Sequence, residues 1–286
     1  MKVAIYGSRR QKPYAGDIQK LLRNLILSGV DVCMHPKLYN HLTEELDLSL
    51  SGVSVAPADY AEMNDVDIVL SIGGDGTFLR TAAWVGERQT PILGINTGHL
   101  GYLAPLPISA APDYVDKLLE RDFTVERRAL AAVKADKIFG WAYALNEVVV
   151  AKDDSASMIS AKTWLGDKLL ADYKADGLIV ATPTGSTAYN MSAGGPIVQP
   201  TAPVWVITPI AAHSLSMRPL VIDNTMAIKI QVDGRGHTFR LSLDGRSTTL
   251  PMGSEINVSR APFETLIIQP HGCAFPAVLR DKLMFC

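Results

Sequence analysis

The spacing of apolar positions gives the chain two textures. In the first, short β-branched runs alternate with amphipathic stretches. Residues 2–6 (KVAIY) form an apolar run closed by Gly7. Over residues 17–28, Ile18, Leu21, Leu22, Leu25 and Ile26 recur at the spacing of one helical face, and Gly29 stops the pattern. Residues 30–33, 67–72 and 91–95 read as further strands, and residues 42–50 and 78–84 as helices. Alternation of this kind predicts a parallel sheet with helices on both faces.

A helix over residues 112–120, with Tyr114, Val115, Leu118 and Leu119 on one side, ends this part. From residue 123 on, strand patterns dominate: 129–135, 141–150, 178–181, 204–207, 226–232, 238–243, 256–258 and 265–268, against one helical stretch at 186–192. The expected fold is an α/β N-terminal domain with a parallel sheet, followed by a mostly β C-terminal domain of sheets packed on each other. The texture changes between residues 106 and 124. The expected division is 1–115 for the α/β domain, 116–265 for the β-rich domain and 266–286 for a tail.

The chain has 286 residues, enough to bury two cores. Its 48% hydrophobic and 20% charged content is that of an ordinary soluble globular protein. A formal net charge of −2 argues against nucleic acid or an anionic membrane as partner, while leaving room for local phosphate pockets. Cys33, Cys273 and Cys286 lack CxxC spacing, which argues against a disulfide scaffold or structural zinc and for reduced thiols. No run resembles a signal peptide or reaches bilayer length, so a cytoplasmic location is expected.

Candidate chemistry begins at residues 67–82, DIVLSIGGDGTFLRTA, where a strand runs into Gly73, Gly74, Asp75 and Gly76 before a helix. In open α/β sheets, ligands bind outside the carboxyl ends of strands. Glycines let the backbone approach a ligand closely, and N–H groups at a helix start suit phosphate. The acid is the odd part, because a carboxylate repels phosphate. It suits a base that takes a proton from a hydroxyl attacking phosphorus, a step worth ~10²–10⁴-fold in rate. The competing reading is a tight turn in which Asp75 merely caps the helix. GxxxxGK[ST], a GxGxxG after the first strand, HExxH and GxSxG are all absent.

Further glycine-rich and polar stretches follow. Residues 94–101, GINTGHLG, form a second loop that can lie beside the first and complete a cleft; His99 is a candidate phosphate contact without an assigned role. Asn146 and Glu147 interrupt an apolar strand. They read either as partners for an adenine edge and ribose hydroxyls or as a strand end in water. Residues 174–196, KADGLIVATPTGSTAYNMSAGGP, are the most specific stretch. A buried strand ends in hydroxyls that open a helix, and Tyr189 offers a flat face for a base or for core packing. His213 and Arg218 form another polar knot, and residues 244–246 (DGR) read as a hairpin turn.

Together, GGDGTFL (73–79), GINTGHLGYL (94–103), Asn146–Glu147, DGLIVATPTGSTAYNMSAGGP (176–196) and HSLSMRPL (213–220) resemble the NAD kinase family. The first block is shared with phosphofructokinases and lipid kinases; the long later block is the decisive one. The resemblance implies transfer of the γ-phosphoryl of ATP to the 2′-hydroxyl of the adenosine ribose of NAD. It implies a divalent cation, Mg²⁺, carried by the nucleotide phosphates without a nameable protein ligand. Carried over by position, Asp75 is the general base and also contacts NAD. Gly76 and Arg80 stand beside it, and Gly73 and Gly74 form the phosphate loop. Asn146 and Glu147 hold the adenosine half. Lys174, Asp176, Thr187, Ala188, Tyr189, Asn190, Met191, Ser192 and Ala211 line the dinucleotide site. The resemblance further implies a homodimer or homotetramer and a tail packed on the N-terminal domain. Arg246 stands where the family often has glutamine, and residues 210–212 depart from its common cysteine and proline. The rival readings are a lipid or sugar-phosphate kinase of the same fold and a nucleotide sensor without catalysis.

Overall fold

The computed structural model describes residues 1–9, 11–98, 101–138, 140–153, 157–273 and 275–283. The chain forms two compact units, Met1–Arg127 with Thr265–Cys286, and Arg128–Glu264. It passes from one to the other within two long strands, Thr124–Lys134 and Glu255–Gln269.

The first unit is built on β1 (Lys2–Gly7), β2 (Asp31–Met34), β3 (Val53–Val55), β4 (Ile68–Ile72) and β5 (Ile92–Asn96). These strands are parallel and lie in the order β3-β2-β1-β4-β5. Val3, Ile5, Leu70, Ile72 and Leu93 from the sheet share one core with Ile18, Leu21, Leu22 and Leu25 of helix α1 (Ala15–Leu27). Burial of each such side chain is worth about 1.5–3 kcal/mol, which is why this face, and not helix propensity, holds α1 on the sheet.

The helix expected over residues 42–50 lies earlier, as α2 (Pro36–Asn40) followed by a π turn, His41–Glu45. Pro36 occupies the first turn, and the His35 ring accepts the Lys37 N–H at 3.2 Å. Proline at the start and a side-chain cap begin the helix before its apolar spacing shows.

Strand order reverses between β1 and β4. Connections leave the sheet in opposite directions there, so the loops at the carboxyl ends diverge and open a crevice. The Ser8 and Arg9 segment follows β1, and Gly73 and Gly74 join β4 to helix α3 (Asp75–Val85).

The second unit contains antiparallel strands in two sheets. One includes Lys168–Ala175, Ile159–Leu165, Ile228–Gly234 and Glu255–Gln269 in that order. The other runs Leu220–Asp223, Val204–Ile210, Gly177–Ala181, Glu147–Lys152, Thr238–Leu243, Arg246–Pro251. Alternate residues meet in one core, Ile228, Ile230 and Val232 from the first sheet against Val148, Val150, Leu178, Trp205, Phe239 and Leu241 from the second. The other face of Gly177–Ala181 is buried as well, with Ile179 and Ala181 packed with Val149 and Val206 and covered by Ala193 and Val198.

The strand expected over 141–150 is broken into Tyr143–Ala144 and Glu147–Lys152. The hairpin of Ile159–Leu165 and Lys168–Ala175 carries no marked apolar signal, nor does Arg246–Pro251, and the apolar run of Leu220–Asp223 is only three residues long; all four are held by pairing to a neighbour. Cys33 is buried and Cys273 half-buried, both free thiols; Cys286 lies outside the described residues. Among the described residues no helix is long and apolar enough to cross a membrane.

Candidate active site

In the first unit, Gly74 takes the N-cap position of α3 with extended backbone, and its carbonyl accepts the N–H groups of Thr77 and Phe78. Asp75 is therefore not a helix cap. Its carboxylate turns to the second glycine loop, where Oδ2 accepts the Tyr102 N–H at 2.9 Å and Oδ1 the Leu103 N–H at 3.0 Å. The cleft expected from two adjoining glycine loops is formed by these bonds. Two glycines permit the approach. A Cβ on Gly101 would stand 2.0 Å from Asp75 Oδ1, and one on Gly94 would stand 2.1 Å from the Leu103 carbonyl oxygen. Each Asp75 oxygen has a second lone pair, so a proton can still be accepted. His99 and Leu100 lie outside the described residues.

At the carboxyl ends of the strands lies a cavity of about 660 Å³, lined by Gly74 and Gly76 on either side of Asp75 in the chain. Arg9, Lys37 and Arg80 give its wall positive charge, Gly74, Gly76 and Thr77 bring the glycine loop to it, and none of its lining residues is acidic. Arg80 lies one turn into α3, with its guanidinium donating to Thr77 Oγ1 at 3.1 Å. Gly73 is closed in, since a Cβ there would meet Thr77 Oγ1 at 2.4 Å. Tyr6 lines the same cavity, backed by His35 at 4.7 Å and Trp84 at 5.5 Å between ring centres. Neither Arg9 nor Lys37 nor this aromatic wall carries a motif in the sequence; the parallel order of β1, β2 and β4 brings them together.

In the second unit, the organising residue is Asp244, which sequence reading treats only as part of a turn. Asp244 and Gly245 both have positive φ, 49° and 79°, in a two-residue turn between paired Leu243 and Arg246. The Asp244 carboxylate accepts the N–H groups of Leu145, Asn146 and Glu147 at 2.7, 2.8 and 3.1 Å. Those bonds break the strand at residues 145–146. Arg246 faces away from any ligand role, with its guanidinium donating to the carbonyls of Leu243, Trp141 and Tyr143.

The break exposes chemistry. Asn146 Oδ1 and Glu147 Oε2 are buried without a hydrogen-bond partner among the described residues. Burial, and then the nearby Asp244 charge, push the Glu147 carboxyl up to about 8. Glu147, Tyr189 and Asp244 line one cavity of about 320 Å³ with Arg240, Ser242 and Ser247. The Tyr189 ring is exposed at this mouth, not packed in a core. The threonine turn is locked to the break: Thr182 N–H donates to the Asn146 carbonyl at 2.8 Å and Thr182 Oγ1 accepts the Gly185 N–H at 3.1 Å. A Cβ on Gly185 would stand 2.0 Å from the Asn146 oxygen.

The helix expected over 186–192 is a 3₁₀ turn, Thr184–Thr187, and one α turn, Tyr189–Ser192. Thr187, Ala188 and Met191 are half-buried and Ser192 is exposed. The Asn190 side chain is spent on the fold, with Nδ2 donating to the Ser186 and Pro196 carbonyls and Oδ1 accepting from Thr208. Asp176 pairs with Lys152 at 2.8 Å, and the carbonyl of exposed Lys174 accepts the His213 N–H at 2.9 Å. Ala211 is exposed and holds a left-handed φ of 48°, a conformation seldom kept by a residue with a Cβ. Among the described residues no cluster of three or more His, Cys, Asp or Glu side chains could hold a metal ion.

A carboxylate with spare acceptor capacity, on a glycine loop that lines a cationic cavity, is the equipment of a phosphotransferase with an alcohol acceptor. Family models agree: residues 8–123 match the ATP-NAD kinase N-terminal domain and residues 145–270 the ATP-NAD kinase C-terminal domain. The NAD kinase of Porphyromonas gingivalis is 42% identical over 286 residues, which span 99% of this chain and 98% of that protein. The crystal structure of yeast NADH kinase complexed with NADH superposes with a TM-score of 0.87 at 24% identity, covering 100% of this chain and 88% of that one. An NAD kinase from Archaeoglobus fulgidus in complex with ATP gives 0.76 at 24% identity, covering 97% and 98%. The chain belongs to the NAD kinase family.

Proposed function

We propose that this chain transfers the γ-phosphoryl group of ATP to the 2′-hydroxyl of the adenosine ribose of NAD, giving NADP and ADP, with Asp75 as general base. One observation carries the assignment: both Asp75 oxygens rest on backbone N–H donors while each keeps a lone pair, on a loop whose Gly74 and Gly76 line a cavity with Arg9, Lys37 and Arg80. The ribose hydroxyl is a poor nucleophile and must lose its proton as it bonds to phosphorus. Asp75 takes that proton, the bond from Pγ to the bridging oxygen breaks, and ADP leaves with the electron pair. Arg9, Lys37 and Arg80 offset charge on the triphosphate, and Tyr6 presents a flat face to the donor base.

NAD meets the second unit. Asn146 Oδ1 accepts from a ligand amino group or hydroxyl, and the Glu147 carboxyl, protonated over much of the neutral range, donates to a ribose oxygen. Leaving either unpaired costs about 1–3 kcal/mol, so occupancy by a polar ligand is the state these groups favour. Tyr189 stacks on a ring of the dinucleotide, with Lys174, Asp176, Thr187, Ala188, Met191, Ser192 and Ala211 around it; Asn190 acts through its backbone. A divalent cation, when bound, would be carried largely by the nucleotide phosphates and would offset their charge. The working form is a homodimer or homotetramer in the cytoplasm.

The test is direct. The chain is incubated with NAD, ATP and Mg²⁺, and NADP is read with an NADP-specific dehydrogenase. NADP formation is the expected result. Calorimetric binding of NAD with no NADP formed would overturn the reading in favour of a sensor.

A further inference from the structure

The last helix, Phe275–Leu283, belongs to the same compact unit as the Asp75 loop. Neither its sequence nor the reaction as described gives it a task. Yet its Lys282 ammonium sits over the face of Tyr102, 4.2 Å from the ring centre. Tyr102 is the residue whose N–H holds Asp75 Oδ2, and the next N–H, from Leu103, holds Oδ1. The Tyr102 hydroxyl is buried without a hydrogen-bond partner among the described residues, so the phenol end does not anchor the ring. The lysine does.

We propose that Lys282 is a positioning residue for phosphoryl transfer: by pinning the Tyr102 ring it holds the backbone of residues 101–103 where that backbone grips the Asp75 carboxylate. The inference rests on Asp75 being the base. Gly101 is flexible enough to approach Asp75 within Cβ-excluding distance, and that freedom has to be restrained from elsewhere. A cation on an aromatic face is a directional restraint, and its strength grows as water is excluded. Burial pulls the Lys282 amine down while the Asp75 charge favours the ammonium, so carboxylate, ring and amine form one electrostatic group. The Tyr102 phenol is pushed up by burial and by the same carboxylate, which keeps it neutral beside the base.

The experiment measures kcat and KM for NAD and ATP in the full chain and in Lys282→Met, Lys282→Arg, Tyr102→Leu and the Met/Leu double variant, with Asp75→Asn as reference. Lys282→Met is expected to lower kcat about 3- to 30-fold with KM changed less than about twofold. Lys282→Arg, which keeps the cation, restores most of the loss. Tyr102→Leu lowers kcat alike, and the double variant is no worse than the lower single, because the two residues act through one contact. Thermal melting of each variant separates loss of fold from loss of positioning; should Lys282→Met melt early, Lys282→Gln takes its place. Unchanged kcat in a folded Lys282→Met, in a chain that Asp75→Asn inactivates, would overturn the positioning role and leave the base standing. A raised KM for ATP at unchanged kcat would also overturn it, making Lys282 a substrate contact. Normal turnover by Asp75→Asn would instead remove the base assignment, and the inference with it.

Discussion

Asp75 and Asp244 are built alike and do different work. Each precedes a glycine and each accepts backbone N–H groups from a remote segment, Asp75 from residues 102–103 and Asp244 from residues 145–147. Asp75 accepts one bond per oxygen and keeps acceptor capacity on both. Asp244 accepts two bonds at Oδ1 and one at Oδ2, with the Arg246 charge close by. Two half-free oxygens suit the base we propose, and a carboxylate with one oxygen doubly held suits a strut. Glu147, buried and standing next to that strut's charge, becomes an acid that stays protonated near neutral pH.

The largest effect that sharpens this contrast is expected at Asp75. Asp75→Asn keeps an acceptor for one of the two backbone N–H donors, sets its NH2 against the other, and cannot take a proton, so kcat should fall ~10²–10⁴-fold while NAD affinity by calorimetry moves far less. A fall in affinity with kcat intact would make Asp75 a second strut. Next comes Gly101→Ala, whose Cβ would collide with Asp75 Oδ1. Displacing the carboxylate by about 1 Å should cost roughly 10²-fold in kcat with melting little changed.

Gly185→Ala probes the strut side. Its Cβ meets the Asn146 carbonyl, so it should destabilise the fold by about 1–3 kcal/mol in urea and weaken NAD binding. The smallest effect is one of pH. Glu147 holds its proton up to about 8 in the folded chain and releases it near 4.5 when unfolded. Between those values the folded state binds more protons, so ligand-free stability falls as pH rises from 4.5 to 8 and is flat above for this group. Glu147→Gln should remove that slope, a difference of about 1 kcal/mol or more between pH 5.5 and 8.5 by urea unfolding. An identical slope in both proteins would return Glu147 to the ordinary acids.

The strands β1, β2, β4 and β5 and the helix α1 were legible because each is specified locally: β-branched runs closed by glycine, and an apolar stripe on one helical face. The strands Lys168–Ala175, Leu220–Asp223 and Arg246–Pro251 were not. They lie at or near sheet edges with half-exposed or polar side chains, and pairing to a neighbour, not their own pattern, makes them strands. Residues 141–150 misled for the opposite reason. Apart from Asn146 and Glu147 their run is apolar, yet a carboxylate about a hundred residues later in the chain (a separation of 99 to Leu145) takes the N–H groups that a continuous strand would have used.

At the site, the sequence by itself determined which chemistry is present: an acid among glycines, a hydroxyl-rich turn and an Asn–Glu pair, because side-chain chemistry and glycine's freedom are properties of single residues. Only tertiary structure decided which N–H groups hold each acid, that Arg9, Lys37 and Arg80 share one cavity, and that Lys282 reaches Tyr102. Those outcomes depend on donors and neighbours supplied from far along the chain, and on burial, which no local pattern encodes.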